Sequence, residues 1–319
     1  MSKLRATIVL MLSLLITSCA GIKPDITIPQ TPPPPVKLKI KPQVVIVLGS
    51  GGARGYAHLG VLQALYQAGI PINAIVCASA GCIVGALYAD NNNPKTTYDI
   101  MMHASFWDFA DVSNILSPSG LIEGYHLEKF LLRNMRAKTF RQLKTKLIVA
   151  TTNLKTGTTY PIESGPVAPA ILASAALPGA VQPVHLYGHV LIDGGVANPI
   201  PVDLAKKLHP TIIIAINIAE QLPQHVPINA VSIYSRAYAI MWKKLTEYSE
   251  KNATIVIHPK LGEVGTFDLG KKYPMYLAGY HAAEKVIPKI KRLLAEKNIP
   301  LKNKNRVSSK KDDTRSKNF

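Results

Sequence analysis

Residues 44–55 read VVIVLGSGGARG, an apolar run that passes directly into a cluster of glycines. The run from Val44 to Leu48 is mostly β-branched and contains no polar residue, as in a strand that is buried on both faces of a sheet. A helical pattern follows from Ala57 to Ala68, with Gly69 as its end. The stretch therefore predicts a strand, a glycine turn and a helix, which is the opening unit of an α/β fold.

A second unit of the same kind comes next, with a short strand at Ala74 to Cys77 and a helix at Gly81 to Ala89. Two such units in succession predict a parallel sheet with right-handed crossovers. Further strands are predicted at 146–151, 190–192, 212–218 and 254–257, and further helices at 128–135, 169–176, 202–208, 230–249 and 275–295. We expect a three-layer α/β fold with a mostly parallel central sheet flanked by helices.

The glycine cluster, Gly49 to Gly55, lies between a strand and a helix, where exposed backbone N–H groups form a cradle for negative charge. A nucleotide is disfavoured for two reasons. No Asp or Glu occurs between Asp25 and Asp90, so the acidic residue that binds the ribose in a dinucleotide site is missing, and so is the Lys-Ser/Thr pair of a P-loop. The pattern favours an oxyanion hole, with Arg54 either holding the loop or facing a lipid phosphate. The simpler alternative is a tight turn with a surface arginine.

Residues 77–81 read CASAG at a predicted strand-to-helix turn, which is the geometry of a nucleophile elbow. The usual pattern has glycine where Cys77 stands. Taken alone, Ser79 is equally well explained as a cap of the following helix. Because successive helix N-termini point toward the same region beyond the strand ends, we expect Ser79 to lie beside the glycine cradle.

A nucleophilic serine needs a base, and the best candidate is Asp193, in the run LIDGG where a strand end opens into a glycine turn. By itself, an Asp-Gly pair is a common turn signal. A Ser-His-Asp hydrolase is an alternative, because histidines follow at positions 209, 225, 258 and 281. Against it, an α/β-hydrolase places several strands before its elbow, whereas one βα unit precedes Ser79.

Taken in order, GSGGARG at 49–55, CASAG at 77–81 and the run Asp193-Gly194-Gly195 resemble the patatin-like phospholipase family. The segment ASAALPG at 173–179 is similar to a further motif of that family, and the resemblance spans roughly residues 43 to 295. Ser50 and Cys77 depart from the family pattern, and neither is a reacting group.

The resemblance implies a patatin-like three-layer fold and a lipid acyl hydrolase, an esterase of the phospholipase A or lysophospholipase type. It implies a Ser-Asp dyad in which Asp193 takes the proton of Ser79 and an acyl-enzyme forms. The amides of Gly51, Gly52 and Ala53 would hold the oxyanion, and the supporting residues would be Arg54, Gly55, Gly81, Gly194 and Gly195. No cofactor or metal is implied. A non-catalytic lipoprotein that binds lipids or a partner is the remaining interpretation.

The N-terminus predicts an exported, lipid-anchored protein. Two basic residues precede an apolar run at 8–16 that is too short to span a bilayer, as in a signal peptide. The run ends in ITSC, which looks like a lipobox, so we predict a signal peptide at 1–18 and acylation of Cys19. The residue after the cysteine is Ala20 and not an aspartate, which resembles lipoproteins that are sent to the outer membrane of diderm bacteria. We therefore expect this location.

The rest of the chain divides into a linker, a domain and a tail. Residues 19–42 form the predicted linker, and its stretch from Lys23 to Pro42 contains seven prolines and predicts an extended spacer of up to ~60 Å. Residues 43–300 form the predicted hydrolase domain, in which the segment 104–125 is a candidate lid, although its aromatic residues are more often found in a core. Residues 301–319 contain seven Lys or Arg and too little apolar surface to fold, so we predict a disordered basic tail.

The formal charge of +18 suits nucleic acid, an anionic membrane or simple solubility. The basic residues do not alternate with aromatic residues as they do in single-strand binders, so we expect membrane lipids as partners and no nucleic acid. Each basic group near an anionic surface would contribute ~1 kcal/mol to membrane binding.

Cys77 and Cys82 flank Ser79. A bridge between them is chemically allowed, but we favour two buried thiols that serve as packing.

Overall fold

The computed structural model of this 319-residue chain describes residues 31–35, 41–111, 122–219, 222 and 225–302. The predicted signal peptide, Cys19, most of the linker and most of the basic tail lie outside the described residues, and so does part of the candidate lid, at 112–121. No helix within the described ranges has the length and apolar character needed to cross a bilayer.

Within the described residues, eight strands form one sheet. The strands are β1 (Val44–Leu48), β2 (Ala74–Ala78), β3 (Lys146–Asn153), β4 (Thr159–Ile162), β5 (Val184–Leu186), β6 (His189–Ile192), β7 (Ile212–Ile216) and β8 (Ile255–Ile257). Hydrogen-bonded neighbours follow the series β5-β6-β3-β2-β1-β7-β8, and β4 also pairs with β3. The five strands from β3 to β8 in this series are parallel to one another. β4 and β6 run antiparallel to β3, and β5 runs antiparallel to β6. The predicted mostly parallel sheet is confirmed.

The helices cover both faces of the sheet. They are α1 (Tyr56–Gln67), α2 (Ala80–Asn91), α3 (Pro94–His103), α4 (Tyr125–Asn134), α5 (Val167–Ser174), α6 (Val202–Lys206), α7 (Ala230–Ser249) and α8 (Lys272–Glu296). The bounds predicted for β1 and α7 are confirmed to the residue. The sequence prediction missed α3, β4 and β5, because α3 carries no continuous apolar face and the two strands are only four and three residues long.

Two buried clusters, one on each face of the sheet, form the core. Because successive side chains of a strand point to opposite faces, β1 divides between them. Val44, Ile46 and Leu48 pack in a cluster with α1, α2 and α8, while Val45 and Val47 pack in a second cluster with α6. All five residues are fully buried, which explains the uninterrupted apolar run. The arrangement is the predicted three layers.

One edge of β3 pairs with both β2 and β6, so the ends of these two strands meet there. β4 pairs with residues 149–152 of β3 and occupies one edge, so β2, at 146–150, and β6, at 152–153, share the other edge. β2 is parallel to β3 and β6 is antiparallel, so these two strands run toward each other. Extending each register by one residue places Ser79, after β2, and Asp193, after β6, both opposite Thr151.

Candidate active site

The turn between β2 and α2 lifts Ser79 out of the sheet. Its backbone has φ 53 and ψ −127, a conformation that non-glycine residues rarely adopt. The Ser79 amide donates a hydrogen bond to Ser174 Oγ at 2.9 Å, and Ser174 Oγ donates to the Ala150 carbonyl at 2.7 Å. Ser174 therefore ties the turn to β3, which supplies the contacts that a strained backbone needs in order to persist.

Ser79 and Asp193 are in direct contact in the interior. Ser79 Oγ donates to Asp193 Oδ2 at 2.5 Å, and the Gly195 amide donates to Asp193 Oδ1 at 2.7 Å. Among the described residues, no lysine, arginine or histidine forms an ion pair with this carboxylate. Burial raises the pKa of Asp193 from 3.8 to about 6, and the two hydrogen bonds lower it by less. Asp193 is therefore ionised at neutral pH but close to its pKa, as a proton acceptor should be.

The glycine cluster after β1 presents two unbonded amides. Gly52–Gly55 form a 3-10 turn, and within the described part of the chain the amides of Gly51 and Gly52 donate no hydrogen bond. The Ala53 amide donates to the Thr266 carbonyl at 2.7 Å. Gly52 has φ +57, and a Cβ there would lie 2.6 Å from Thr266, so glycine is required. Of the three predicted oxyanion donors, Ala53 is thus already engaged.

Arg54, within this turn, is buried. Its Nε donates to the Ile218 carbonyl at 3.1 Å, and its Nη1 donates to the Val264 carbonyl at 2.8 Å. The guanidinium thereby joins the segment after β7 and the segment before α8 to the glycine turn. These contacts agree with the interpretation in which Arg54 holds the loop.

Close backbone contacts let the three segments converge. A Cβ at Gly81 would lie 2.4 Å from the Leu48 carbonyl oxygen, and a Cβ at Gly194 would lie 2.1 Å from the Ala150 carbonyl oxygen. Gly55 and Gly195 are crowded in the same way, against Ala80 and Ser50 respectively. Gly81 and Gly194 are therefore positions where the elbow and the aspartate turn approach the ends of β1 and β3, and Gly55 and Gly195 are positions where the glycine turn meets the elbow and the aspartate turn.

A cavity of about 420 Å³ lies above these groups. Ser79, Asp193, Gly51 and Gly52 lie in its wall, and the other lining residues are largely apolar, among them Ile83, Val84, Leu127, Leu172, Leu177 and Val181. The volume falls in the range of small-molecule sites. Within the described ranges, no three His, Cys, Asp or Glu side chains are grouped so as to hold a metal ion. The site can offer a nucleophile, a base and two amides to an apolar molecule.

The Patatin-like phospholipase family model matches residues 46–206, which is just over half of the chain. The chain belongs to this family. It is 27% identical over 218 residues to patatin-like phospholipase domain-containing protein 6 of Mus musculus, a match that covers 65% of this chain and 16% of the relative. It is 28% identical over 276 residues to lysophospholipase NTE1 of Scheffersomyces stipitis, covering 76% of this chain and 18% of that protein. The chain thus spans less than a fifth of the length of these two relatives.

The patatin-like fold is also found in a solved structure. The crystal structure of VipD from Legionella pneumophila superimposes with a TM-score of 0.50 at 14% sequence identity, over 78% of this chain and 67% of VipD. At this level of identity the likeness concerns the fold alone.

The histidines that follow Asp193 lie elsewhere in the patatin-like domain. No histidine of the described residues lines the cavity. His258 lies near Glu250 at 3.8 Å, His281 lies near Glu284 at 2.9 Å, and His225 is exposed before α7. The geometry therefore gives no support to a Ser-His-Asp arrangement.

Cys77 and Cys82 are joined in a disulfide, with Cα atoms 4.9 Å apart, within the usual range. The expectation of two packing thiols was wrong, although both residues are buried as expected. The bridge spans the elbow, from the end of β2 to the first turn of α2. A cysteine in place of the usual glycine at position 77 therefore closes a short loop around Ser79.

Several residues that shape the patatin-like site were not assigned a role from the sequence. Ser174 belongs to the family-like segment at 173–179, but its bond to Ser79 was not anticipated. Thr152 Oγ1 donates to the Asp193 carbonyl at 2.8 Å, and Trp242 Nε1 donates to the Gly195 carbonyl at 3.1 Å. Thr266 accepts from Ala53. Apart from that segment, no local pattern marks these residues, because each acts across a long stretch of chain.

Proposed function

We propose that this chain hydrolyses carboxylic esters of lipids, with Ser79 as the nucleophile and Asp193 as its base. The observation that carries the proposal is the 2.5 Å hydrogen bond from Ser79 Oγ to Asp193 Oδ2 in the wall of an apolar cavity. A serine hydroxyl is a weak nucleophile until a base takes its proton. Asp193 is placed to do so, and its raised pKa makes it a stronger base than an exposed aspartate.

In the first half-reaction, Ser79 Oγ attacks the ester carbonyl carbon as its proton passes to Asp193 Oδ2. The carbonyl oxygen becomes an oxyanion, for which the amides of Gly51 and Gly52 are the available donors. Such preorganised donors stabilise charge that develops only during the reaction. Ala53 would contribute as a third donor only after releasing the Thr266 carbonyl.

Collapse of the tetrahedral intermediate breaks the ester C–O bond, and the leaving alcohol takes the proton from Asp193. Ser79 then carries the acyl group. In the second half-reaction water attacks the acyl carbon, Asp193 accepts the proton of that water, and the fatty acid leaves as Ser79 recovers its proton. The dyad returns to its starting state without a histidine.

A phospholipid or lysophospholipid is the proposed substrate. The largely apolar cavity suits an acyl chain, and the family together with the name of the fungal lysophospholipase supports lipid hydrolysis.

The test is hydrolysis by the full chain of a water-soluble p-nitrophenyl ester, a phospholipid and a lysophospholipid. Ser79→Ala and Asp193→Asn should each lower kcat/KM by about 10⁴-fold or more, because removal of either residue disables the dyad. Ser164→Ala, a buried serine that does not line the cavity, is the matched control and should leave the rate unchanged.

A fluorophosphonate probe separates catalysis from binding. Labelling of the wild type and of Ser164→Ala, but not of Ser79→Ala, would support the proposal. A wild type that takes no probe and cleaves no ester would instead indicate a non-catalytic lipid-binding protein. A histidine variant that loses as much activity as Ser79→Ala would replace the dyad with a triad.

A further inference from the structure

Helix α7 is poorly covered by the rest of the described chain. Of its twenty residues only Thr246 is buried. Three of its residues, Val231, Tyr234 and Met241, and two residues just before it, Val226 and Ile228, are between 64% and 93% exposed. Together they form what we call the α7 ridge. Single exposed apolar residues are ordinary, but five of them between positions 226 and 241 point to a surface that binds something.

The ridge lies next to the cavity. Positions 231, 234 and 241 share one side of α7, because residues three and seven apart recur on one helix face. The adjacent side carries Ser235, Ala239 and Trp242, which line the cavity. Tyr238 lies between the two sides, and it both lines the cavity and is exposed. The cavity therefore reaches the surface beside the ridge.

Aromatic residues from other segments also lie where the cavity meets the surface. Phe106 and Phe267 both line it, with ring centroids 6.4 Å apart, and Trp107 packs on Phe106 at 5.4 Å. Trp107 and Phe267 are more than half exposed. We call these three residues the aromatic rim. Tryptophan, with its apolar ring and polar N–H, is enriched where protein meets the bilayer surface, and phenylalanine supplies apolar area that enters the acyl boundary.

The charges on and around α7 suit an anionic surface. The helix carries three basic residues, Arg236, Lys243 and Lys244, against one acidic residue, Glu247, and the whole chain has a formal charge of +18. Arg236 and Lys243 lie roughly opposite the ridge on the helix, by the spacing of 3.6 residues per turn. A helix with an apolar stripe and basic residues on its remaining surface is typical of one that lies in the headgroup region.

We propose that the α7 ridge and the aromatic rim dock this domain on an anionic phospholipid bilayer, with the cavity opening toward the lipid. The choice of a bilayer rests on the proposed lipid hydrolysis. A lipid substrate has to leave the membrane to reach Ser79, and a cavity that opens into the membrane shortens its path. A second copy or another protein seated on the ridge would lie beside that opening and obstruct it.

The test uses the full-length chain with Cys19→Ser, which removes the predicted acylation, and Ser79→Ala, so that no lipid is consumed. Flotation with vesicles of phosphatidylglycerol and phosphatidylethanolamine measures partitioning. The added pair Val231→Ser/Tyr234→Ser should lower the partition coefficient by about tenfold or more, because binding scales with buried apolar area. The matched pair Leu132→Ser/Leu154→Ser, also exposed but outside the cavity lining, should leave it unchanged.

Tryptophan fluorescence provides a measurement that needs no change in the ridge. The chain has two tryptophans, so Trp242→Phe leaves Trp107 as the single reporter. Vesicles that contain brominated lipid should quench its emission. Absence of quenching, or equal losses of partitioning in the two serine pairs, would overturn the proposal.

The remaining outcome is self-association. If sedimentation shows a dimer that Val231→Ser/Tyr234→Ser dissociates while vesicle binding is unchanged, the ridge is an interface between copies and the docking proposal is wrong. Failure of docking leaves hydrolysis of the water-soluble ester by the active chain untouched. Failure of the proposed catalysis leaves vesicle binding untouched, so the two failures are distinguishable.

Discussion

Helices α2 and α7 line the same cavity, but α2 is tightly packed against the rest of the domain and α7 is loosely packed. Nine of the twelve residues of α2 are buried, whereas one of the twenty residues of α7 is. α2 begins directly after Ser79, is bridged to β2 by the disulfide and lies on the sheet. One wall of the cavity is therefore formed by a tightly packed helix that begins beside the nucleophile, and another wall is formed in part by a loosely packed helix.

The difference in packing predicts a difference in local stability. Segments with few buried apolar contacts open at a lower free energy than the core. Perturbations on the α2 side should therefore change the free energy of unfolding, whereas perturbations on α7 should change access or local geometry at smaller energies.

The largest effect is expected from the buried charge of Asp193. Because its pKa in the folded chain is raised to about 6 from 3.8, the folded state is favoured at low pH and loses this stabilisation as pH rises from about 4 to about 6. Two pKa units correspond to about 3 kcal/mol. Asp193→Asn should therefore raise the free energy of unfolding at pH 8 by up to about 3 kcal/mol, measured by urea titration, and have little effect at pH 4.

Asp90→Asn is the contrasting control. This buried carboxylate accepts hydrogen bonds from the amides of Arg136 and Ala137, so an asparagine should destabilise the fold. The raised pKa of Asp193 should also appear in catalysis, with kcat/KM for a soluble ester falling tenfold per pH unit below about 6. An Asp193→Asn chain less stable than the wild type at pH 8 would contradict the argument.

Removal of the disulfide at the start of α2 should change the free energy of unfolding by a smaller amount. Closing a loop of this length stabilises a fold by about 2 kcal/mol in the chain-entropy model. Cys77→Ala and Cys82→Ala should each lower the free energy of unfolding by about that amount. The double variant should cost little more than either single one, since both remove the same bond.

The double-mutant cycle distinguishes the bridge from simple packing. Two thiols that serve only as packing would give losses that add, apart from a small coupling between neighbours. Additive losses would therefore restore the interpretation of Cys77 and Cys82 as separate buried thiols.

The smallest effect is expected on α7. Trp242 Nε1 donates to the Gly195 carbonyl, next to the amide that holds Asp193. Trp242→Phe removes this hydrogen bond, worth about 1 kcal/mol, and should lower kcat/KM for a soluble ester by about fivefold. Trp107→Phe should leave that rate unchanged, because Trp107 does not line the cavity. An equal loss in both variants would indicate a general effect of aromatic packing.

Elements with a strong periodic pattern were predictable from the sequence. The five buried residues of β1 and the whole of α7 were placed correctly, because an apolar run and a helical spacing are local properties. The antiparallel strands β4 and β5 were not, because a strand of three or four residues carries too little pattern to be recognised. Their existence depends on partners that are distant in the chain.

The contact between Ser79 and Asp193 was expected by resemblance and depends on the sheet. The two residues are 114 positions apart, and they meet because β2 and β6 share one edge of β3. No short-range sequence preference determines that β2 and β6 pair with the same edge of β3. The engagement of Ala53 by Thr266 and the tie from Ser174 to Ser79 have the same origin, since each joins segments that only tertiary packing brings together.

The sequence by itself determined the strand, glycine turn and helix that open the fold, and the sharp turn at Ser79, because backbone sterics and hydrophobic period act over a few residues. The tertiary structure decided which amides remain unbonded, the bridge across the elbow, and the position of α7 beside the cavity. These features depend on strand register and on contacts between distant segments, and short-range preferences carry no information about either.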